Sequence, residues 1–334
     1  MSTAVAFVGA GRWALALALN FNREGLPCAL WEPAEPALTR LRETRRHPDL
    51  PGDCAIPEEV RLCATPGEAI AGAETVVFAV PSDALGPVAA TVRAALSPSN
   101  RALVTVAKGI EPDTLRRLSV ALAESIPDRP VVVLAGPGIP WDFALGDPTT
   151  LVAASEDAAA ADSVRDRLTG GNLRVYSSTD VVGVELAAAL KNVIAIAAGV
   201  ADGLGLGINA KAALLTRGLA EMTRLGISCN ANPMTFAGLA GMGDLVVTAC
   251  SENSRNHTLG RLIGEGLTLP DALARLHGVA EGAVTVKSAL TLAARQGVEL
   301  PIAAEVDSLL YRGGDARRSL RRLLDRPPRR EDAR

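Results

Sequence analysis

Lys191 lies in the run LAAALKNVIAIAAG, where helical spacing surrounds it with Ala187, Ala188, Ile194 and Ala195. An ammonium group among apolar neighbours either snorkels to water or points into a cleft. Burial in a cleft lowers its pKa, and nearby cations lower it further. A lysine tuned in this way can hand a proton to a carbonyl oxygen.

Two other polar groups belong with it. Lys108, in VTVAKGI, follows a strand end, the place where open α/β sheets bind ligands; alone it reads as an ordinary loop lysine. Downstream, GLAGMGDLVVTACSENSRN sets Asp244, Ser254, Arg255 and Asn256 close together in the chain. Arginine offers a planar fork of donors suited to phosphate, and Asn and backbone N–H groups can supplement it. Taken singly, Asp244 reads as a helix cap after glycine and Arg255 as a surface residue. Taken together, the segment reads as a polar pocket for an anionic small molecule.

Near the N-terminus, Gly9-Ala10-Gly11-Arg12-Trp13-Ala14 follows an apolar strand and opens a helix. The first glycine permits a tight turn, the second lets backbone approach a pyrophosphate, and the small third residue lets helix and strand pack closely. The N–H groups and dipole of the helix then favour the diphosphate. Glu32 ends the second strand about 20 residues further on, as the dinucleotide fingerprint requires. A carboxylate there can accept the ribose hydroxyls of NAD and repels the 2′-phosphate of NADP, so NAD is the expected cofactor, with NADP the alternative. Arg12 works against that preference, since its guanidinium can reach a phosphate.

These groups need a scaffold. Short apolar runs at Ala4–Val8, Cys28–Trp31, Val76–Val80, Leu103–Val106 and Val131–Leu134 alternate with helical patterns, the mark of βαβ units around a buried, mostly parallel sheet. Strand signals fade after about Tyr176. Helical spacing follows over 181–201, 209–226, 257–266, 270–276, 284–296 and 303–311. The expected architecture is therefore an α/β Rossmann-type domain over residues 1–180, doubly wound, followed by an all-α domain over 181–334.

The bulk figures fit two domains: 334 residues, 48% hydrophobic, 21% charged and only 3% aromatic, so Ala, Val and Leu must build the core. A net charge of −3 argues against a dedicated nucleic-acid or anionic-membrane binder, and the basic tail Arg317–Arg330 reads as a solvated helix end. The apolar stretch Val181–Ala201 carries Glu185, Lys191 and Asn192 inside it, which argues for a buried helix and against a membrane span. Five cysteines without a CxxC pair suggest neither disulfides nor zinc. With a strand starting almost at once, a cytoplasmic location is the expectation. His47, His257 and His277 lack metal-ligand spacing and there is no GxSxG, so metal catalysis and serine hydrolysis have no support.

GAGRWALALA, TVAKGIEPDT, ELAAALKNVIAIAAGVADGLGLGINAKAALLTRGLAEMTRLG, GLAGMGDLVVTACSENSRN and VAEG (279–282), in unbroken order over nearly the whole chain, resemble bacterial NAD(P)-dependent glycerol-3-phosphate dehydrogenase. The resemblance implies a Rossmann domain joined to a helical one, usually as a homodimer, that interconverts dihydroxyacetone phosphate and sn-glycerol 3-phosphate. By motif position it implies Lys191 as proton donor and acceptor. It places Lys108, Gly136, Gly138, Asp244, Ser254, Arg255 and Asn256 at the substrate. It places Arg12, Trp13, Lys108, Pro140, Arg255, Val279 and Glu281 at the cofactor, beside the Gly9, Gly11 and Glu32 of the dinucleotide fingerprint.

Three departures from that pattern stand out. GAGSWG is GAGRWA here, LWGR is LWEP, and GPSFA is Gly136-Pro137-Gly138-Ile139-Pro140, which lacks the hydroxyl expected at 138. The last leaves open a same-fold dehydrogenase acting on another phosphorylated hydroxyketone. A non-catalytic dinucleotide-binding regulator is the remaining alternative, although such a protein has no need of a proton donor.

Overall fold

The structure, a computed structural model, describes residues 4–276, 278–328 and 330. Eight strands form one sheet: β1 (Val5–Val8), β2 (Cys28–Trp31), β3 (Arg61–Leu62), β4 (Thr75–Phe78), β5 (Ala102–Thr105), β6 (Val131–Ala135), β7 (Thr149–Ala154) and β8 (Leu173–Ser178). Their order is β3-β2-β1-β4-β5-β6-β7-β8, and every pairing is parallel except β6 with β7. The chain winds outward in both directions from β1. A crevice therefore opens beyond the carboxyl ends of β1 and β4, where such sheets bind ligands.

Both faces of the sheet are covered. Val5, Phe7, Val77 and Val104 belong to the core under helix Arg12–Arg23, while Ala6, Val8, Val76 and Phe78 pack with helices Leu85–Arg93 and Leu118–Ser125. Double coverage is why these strands are unbroken apolar runs. It also explains which strands the sequence concealed. β3 has only two residues, and β8 exposes Arg174 and Tyr176 in alternation with buried Leu173 and Val175. Strands of that kind lack the continuous apolar text of a central strand.

After β8 the described chain is helical. Helix Val181–Gly203 is the axis of this half, and helices Ile208–Ser228, Arg255–Gly264, Glu281–Arg295 and Pro301–Tyr311 pack round it. It is long and apolar enough to cross a membrane, yet 89% of its most apolar window is buried inside the protein. Helix Arg255–Gly264 crosses it with the two backbones touching. A Cβ at Gly260 would lie 1.9 Å from the Ile196 carbonyl oxygen, and one at Gly199 would lie 2.0 Å from that of His257. Only glycine allows this approach, and it sets Asn256 against Asn192, the residue that follows Lys191. The tail, expected as a solvated helix end, forms helix Ala316–Leu324, with Ser319 buried and Arg322 paired to Glu305.

Candidate active site

Lys191 is on the central helix with 5% of its surface exposed, and it does not snorkel to water. Its Nζ lies 2.8 Å from Asp244 Oδ1 and donates to Thr248 Oγ1. The other oxygen of Asp244, Oδ2, is 2.6 Å from Lys108 Nζ. One fully buried carboxylate thus bridges two ammonium groups, one from the loop after β5 and one from the helical half. Thr248 sits one turn after Asp244 on helix Asp244–Cys250 and donates to Oδ1 at 3.2 Å.

The charges of this trio set one another. Burial lowers the Lys191 pKa to about 7; Asp244 supports its charged form while Lys108 opposes it. For Asp244, burial pushes upward, but the two lysines outweigh it and hold the carboxyl below its ordinary value. A charged Lys191 carries three donors. Asp244 and Thr248 take two of them, which leaves one for a substrate oxygen.

Asn256 is tied to Asn192, the residue after Lys191 in the chain. Its Nδ2 donates to Asn192 Oδ1 at 3.0 Å, and its Oδ1 accepts the Gly282 N–H at 2.9 Å. Ser254 has turned to its own helix, where it is the N-cap and accepts the His257 N–H at 3.3 Å. Arg255 is half-buried between the two halves of the chain. Burial lowers its pKa to about 10, helped by the charge of Arg12 and opposed by Glu281 and Asp49. Glu281, raised chiefly by burial, accepts from Ser82 Oγ at 3.2 Å, a contact from the loop after β4 to the helical half. Val279, by contrast, is 51% exposed.

At the glycine loop, Gly9 has φ +96°, and a Cβ there would meet the Ala79 carbonyl oxygen at 2.7 Å. Helix Arg12–Arg23 begins after Gly11 with no side-chain cap, which leaves its first N–H groups for an outside acceptor. Glu32 is held against this loop, Oε2 accepting the Ala10 N–H at 2.7 Å and Oε1 the Ala34 N–H at 3.0 Å. Its lone pairs not used by backbone can still accept a ribose hydroxyl. A close-packed turn, an uncapped helix start, a nearby guanidinium and a carboxylate at the second strand end together fit a dinucleotide.

The 136–140 segment follows β6. Gly136 (φ +141°) lies against the backbone of β7, and Pro140 opens helix Pro140–Leu145. Gly138 faces the Trp13 ring: a Cβ there would come within 2.7 Å of it, and the ring packs on Phe143 with centroids 5.7 Å apart. The hydroxyl expected at 138 is thus replaced by space that Trp13 occupies.

A family model for the N-terminus of NAD-dependent glycerol-3-phosphate dehydrogenase matches residues 4–161, and its companion for the C-terminus matches residues 180–321. A protein of Geobacter sulfurreducens named as an NAD(P)+ glycerol-3-phosphate dehydrogenase is 44% identical over 330 residues, 98% of this chain and 98% of that one. One of Lysinibacillus sphaericus with the same name is 42% identical, over 98% and 97% of the two chains. The chain belongs to the NAD-dependent glycerol-3-phosphate dehydrogenase family. A solved structure of glycerol-3-phosphate dehydrogenase from Coxiella burnetii superposes with a TM-score of 0.92 at 31% identity, covering 97% of this chain and 99% of that one.

For a member of this family, the sequence pointed to most of the cluster but missed two of its residues. Thr248 escaped because a threonine four residues after an aspartate means something only once helix Asp244–Cys250 is in place. Asn192 escaped because it stands beside the more conspicuous Lys191; an amide inside an apolar helix was the available signal. Among the described residues no cluster of His, Cys, Asp and Glu could hold a metal. His257 binds Asp202 at 2.7 Å, and His277 lies outside the described residues.

Proposed function

We propose that this protein catalyses the reversible reduction of dihydroxyacetone phosphate to sn-glycerol 3-phosphate with a nicotinamide dinucleotide, NAD preferred. The observation that carries the reading is the Lys108–Asp244–Lys191 bridge, buried where the sheet's carboxyl edge meets the helical half. Residues 1–180 would hold the dinucleotide and 181–334 the substrate. We propose the homodimer and the cytoplasm as its working state and place, on the strength of the family resemblance.

When bound, the nicotinamide supplies or takes the hydride. The remaining work falls to side chains. Lys191 Nζ gives its free proton to the carbonyl oxygen in reduction and takes it back from the hydroxyl in oxidation. Asp244 and Thr248 fix the direction of that ammonium, and Asp244 keeps it charged despite burial. Lys108 brings a second positive charge to the same oxygen region. Arg255 and the backbone near the start of its helix grip the substrate phosphate, converting remote binding energy into orientation of the carbonyl. Asn256 and Asn192 hold that helix in register with Lys191.

Loss of nicotinamide absorbance on mixing NADH, protein and dihydroxyacetone phosphate tests the reading. Lys191→Ala should abolish turnover while NADH binding persists; full turnover without Lys191 would refute the assigned role. Gly138 gives a second reading some support, because a substrate hydroxyl there meets the Trp13 ring in place of a serine or threonine. A panel of phosphorylated hydroxyketones assayed in parallel separates the two.

A further inference from the structure

Arg12 is the first residue of helix Arg12–Arg23, directly after the glycine turn. A cation there is in the least favourable electrostatic place on a helix, because the N-terminal end already carries the positive pole of the backbone dipole. The side chain is also half-buried, and its desolvation is large enough to hold the guanidinium below its ordinary pKa.

A second unfavourable neighbour is Arg255 from the helical half. Each is half-buried, and the charge of Arg12 is felt at Arg255. Gly278 closes against Arg255 from a third side: a Cβ there would sit 2.4 Å from Nη1. Asp49 and Glu281 are near enough to oppose the deficit. Neither makes an ion pair with the two arginines, and neither guanidinium has a hydrogen-bond partner among the described residues. Glu281 is engaged instead by Ser82, which ties the two halves together beside this spot. Two half-buried guanidinium groups, one of them at a helix N-terminus, thus lie within range of each other's charge, with no hydrogen-bonded anion among the described residues.

Resting on the dinucleotide-binding reading above, we infer that Arg12 and Arg255 form a two-sided clamp on the cofactor's diphosphate, Arg12 from the sheet half and Arg255 from the helical half. The diphosphate cancels their repulsion and lets each guanidinium donate to it. Cofactor binding then settles Arg255, the same residue that grips the substrate phosphate, so the dinucleotide organises the substrate site. The ribose end is a poor alternative target for Arg12. Glu32 is bolted there by two backbone N–H groups, and its carboxylate repels a 2′-phosphate.

The test is equilibrium binding, by calorimetry, of NADH, NADPH, ADP and adenosine to the wild-type protein, Arg12→Ser and Arg12→Lys. Arg12→Ser should weaken NADH and ADP alike by about ten- to a hundredfold, the loss of one charge-assisted contact, and leave adenosine unchanged. Arg12→Lys should keep part of the affinity, and the salt dependence of NADH binding should become shallower in Arg12→Ser. Unchanged ADP and NADH binding in Arg12→Ser overturns the clamp, as does a loss confined to NADPH, which would assign Arg12 to the 2′-phosphate. Unchanged adenosine binding certifies that the variant is folded. A wild-type protein that binds none of the dinucleotides would overturn the functional reading beneath the clamp as well.

Discussion

Glu185 and Arg117 are joined at 2.8 Å across the boundary between the two halves of the chain, and the Glu185 carboxylate also accepts the N–H and hydroxyl of Ser119. Glu185 stands on the same helix as Lys191, and Arg117 ends the loop that Lys108 begins. The pair therefore fastens the loop of one lysine to the helix of the other. Glu185 is almost wholly buried, and burial raises its pKa against the pull of Ser119 and Arg117.

Removing one partner of a buried ion pair costs about 3–5 kcal/mol, because the survivor stays desolvated and unpaired. Glu185→Ala should lower unfolding free energy by that order in denaturant titrations. It should also weaken substrate binding more than dinucleotide binding, since the Lys108 loop is released while the glycine loop is not. Equal losses for both ligands would mean that the fastening acts on the whole fold.

The Lys191 pKa of about 7 gives the reaction a pH signature of definite sign. Reduction needs the protonated amine, so its turnover should fall as pH rises through about 7. Oxidation needs the free base and should rise over the same interval. Rate–pH profiles in both directions at saturating substrate check this, and parallel profiles would assign the titration to another group.

Asp244→Asn keeps the shape of the carboxylate but removes the charge that two buried ammonium groups share. The Lys191 pKa, already depressed by burial, should then drop further, shifting the limb of the reduction profile to lower pH. At pH 7 the reduction rate should fall by about a hundredfold or more, the lower end of what a positioned proton donor contributes. A rate loss with an unshifted profile would show that Asp244 serves geometry alone.

Glu221 is buried on helix Ile208–Ser228 and accepts the Ile302 N–H at 2.8 Å and the Ala303 N–H at 3.4 Å at the start of helix Pro301–Tyr311. Burial raises its pKa from 4.5 to about 7 against those hydrogen bonds and the charges of Arg224 and Arg326. A carboxyl raised on folding stabilises the fold most below its unfolded pKa, and that contribution is lost as pH climbs through the folded value. Glu221→Gln, which cannot titrate and still offers an oxygen, should therefore flatten stability between about pH 4.5 and 7. The difference from wild type across that window should be at most about 3 kcal/mol. Melting curves at several pH values decide it.

The parts legible in the sequence were those whose cause is local. A cation alone in an apolar helix announced Lys191, strand-glycine-helix text announced the nucleotide crevice, and continuous apolar runs announced the central strands. What stayed hidden depends on distant chain segments meeting. β7, which has no exposed residue, and β8, which exposes alternate residues, look ordinary until they pair side by side, with β7 running against β6. Glu32 was found by spacing, but its two backbone bonds to Ala10 and Ala34 follow only from the folded loop. The glycine at 138 read as a loss until the Trp13 ring appeared in its place.

The seam between helices Val181–Gly203 and Arg255–Gly264 closes backbone on backbone at Gly199, Gly203, Gly260 and Gly264, so neither helix can slide past the other without backbone striking backbone. The backbone that bears the proton source and the backbone that bears the anion grip are consequently one casting, set in fixed spacing before any ligand arrives, and only the Arg255 side chain is left to settle. Adjustment during turnover must be sought on the opposite bank, in the glycine turn that follows β1, since the loops after β4 and β5 are already tied to the helical half.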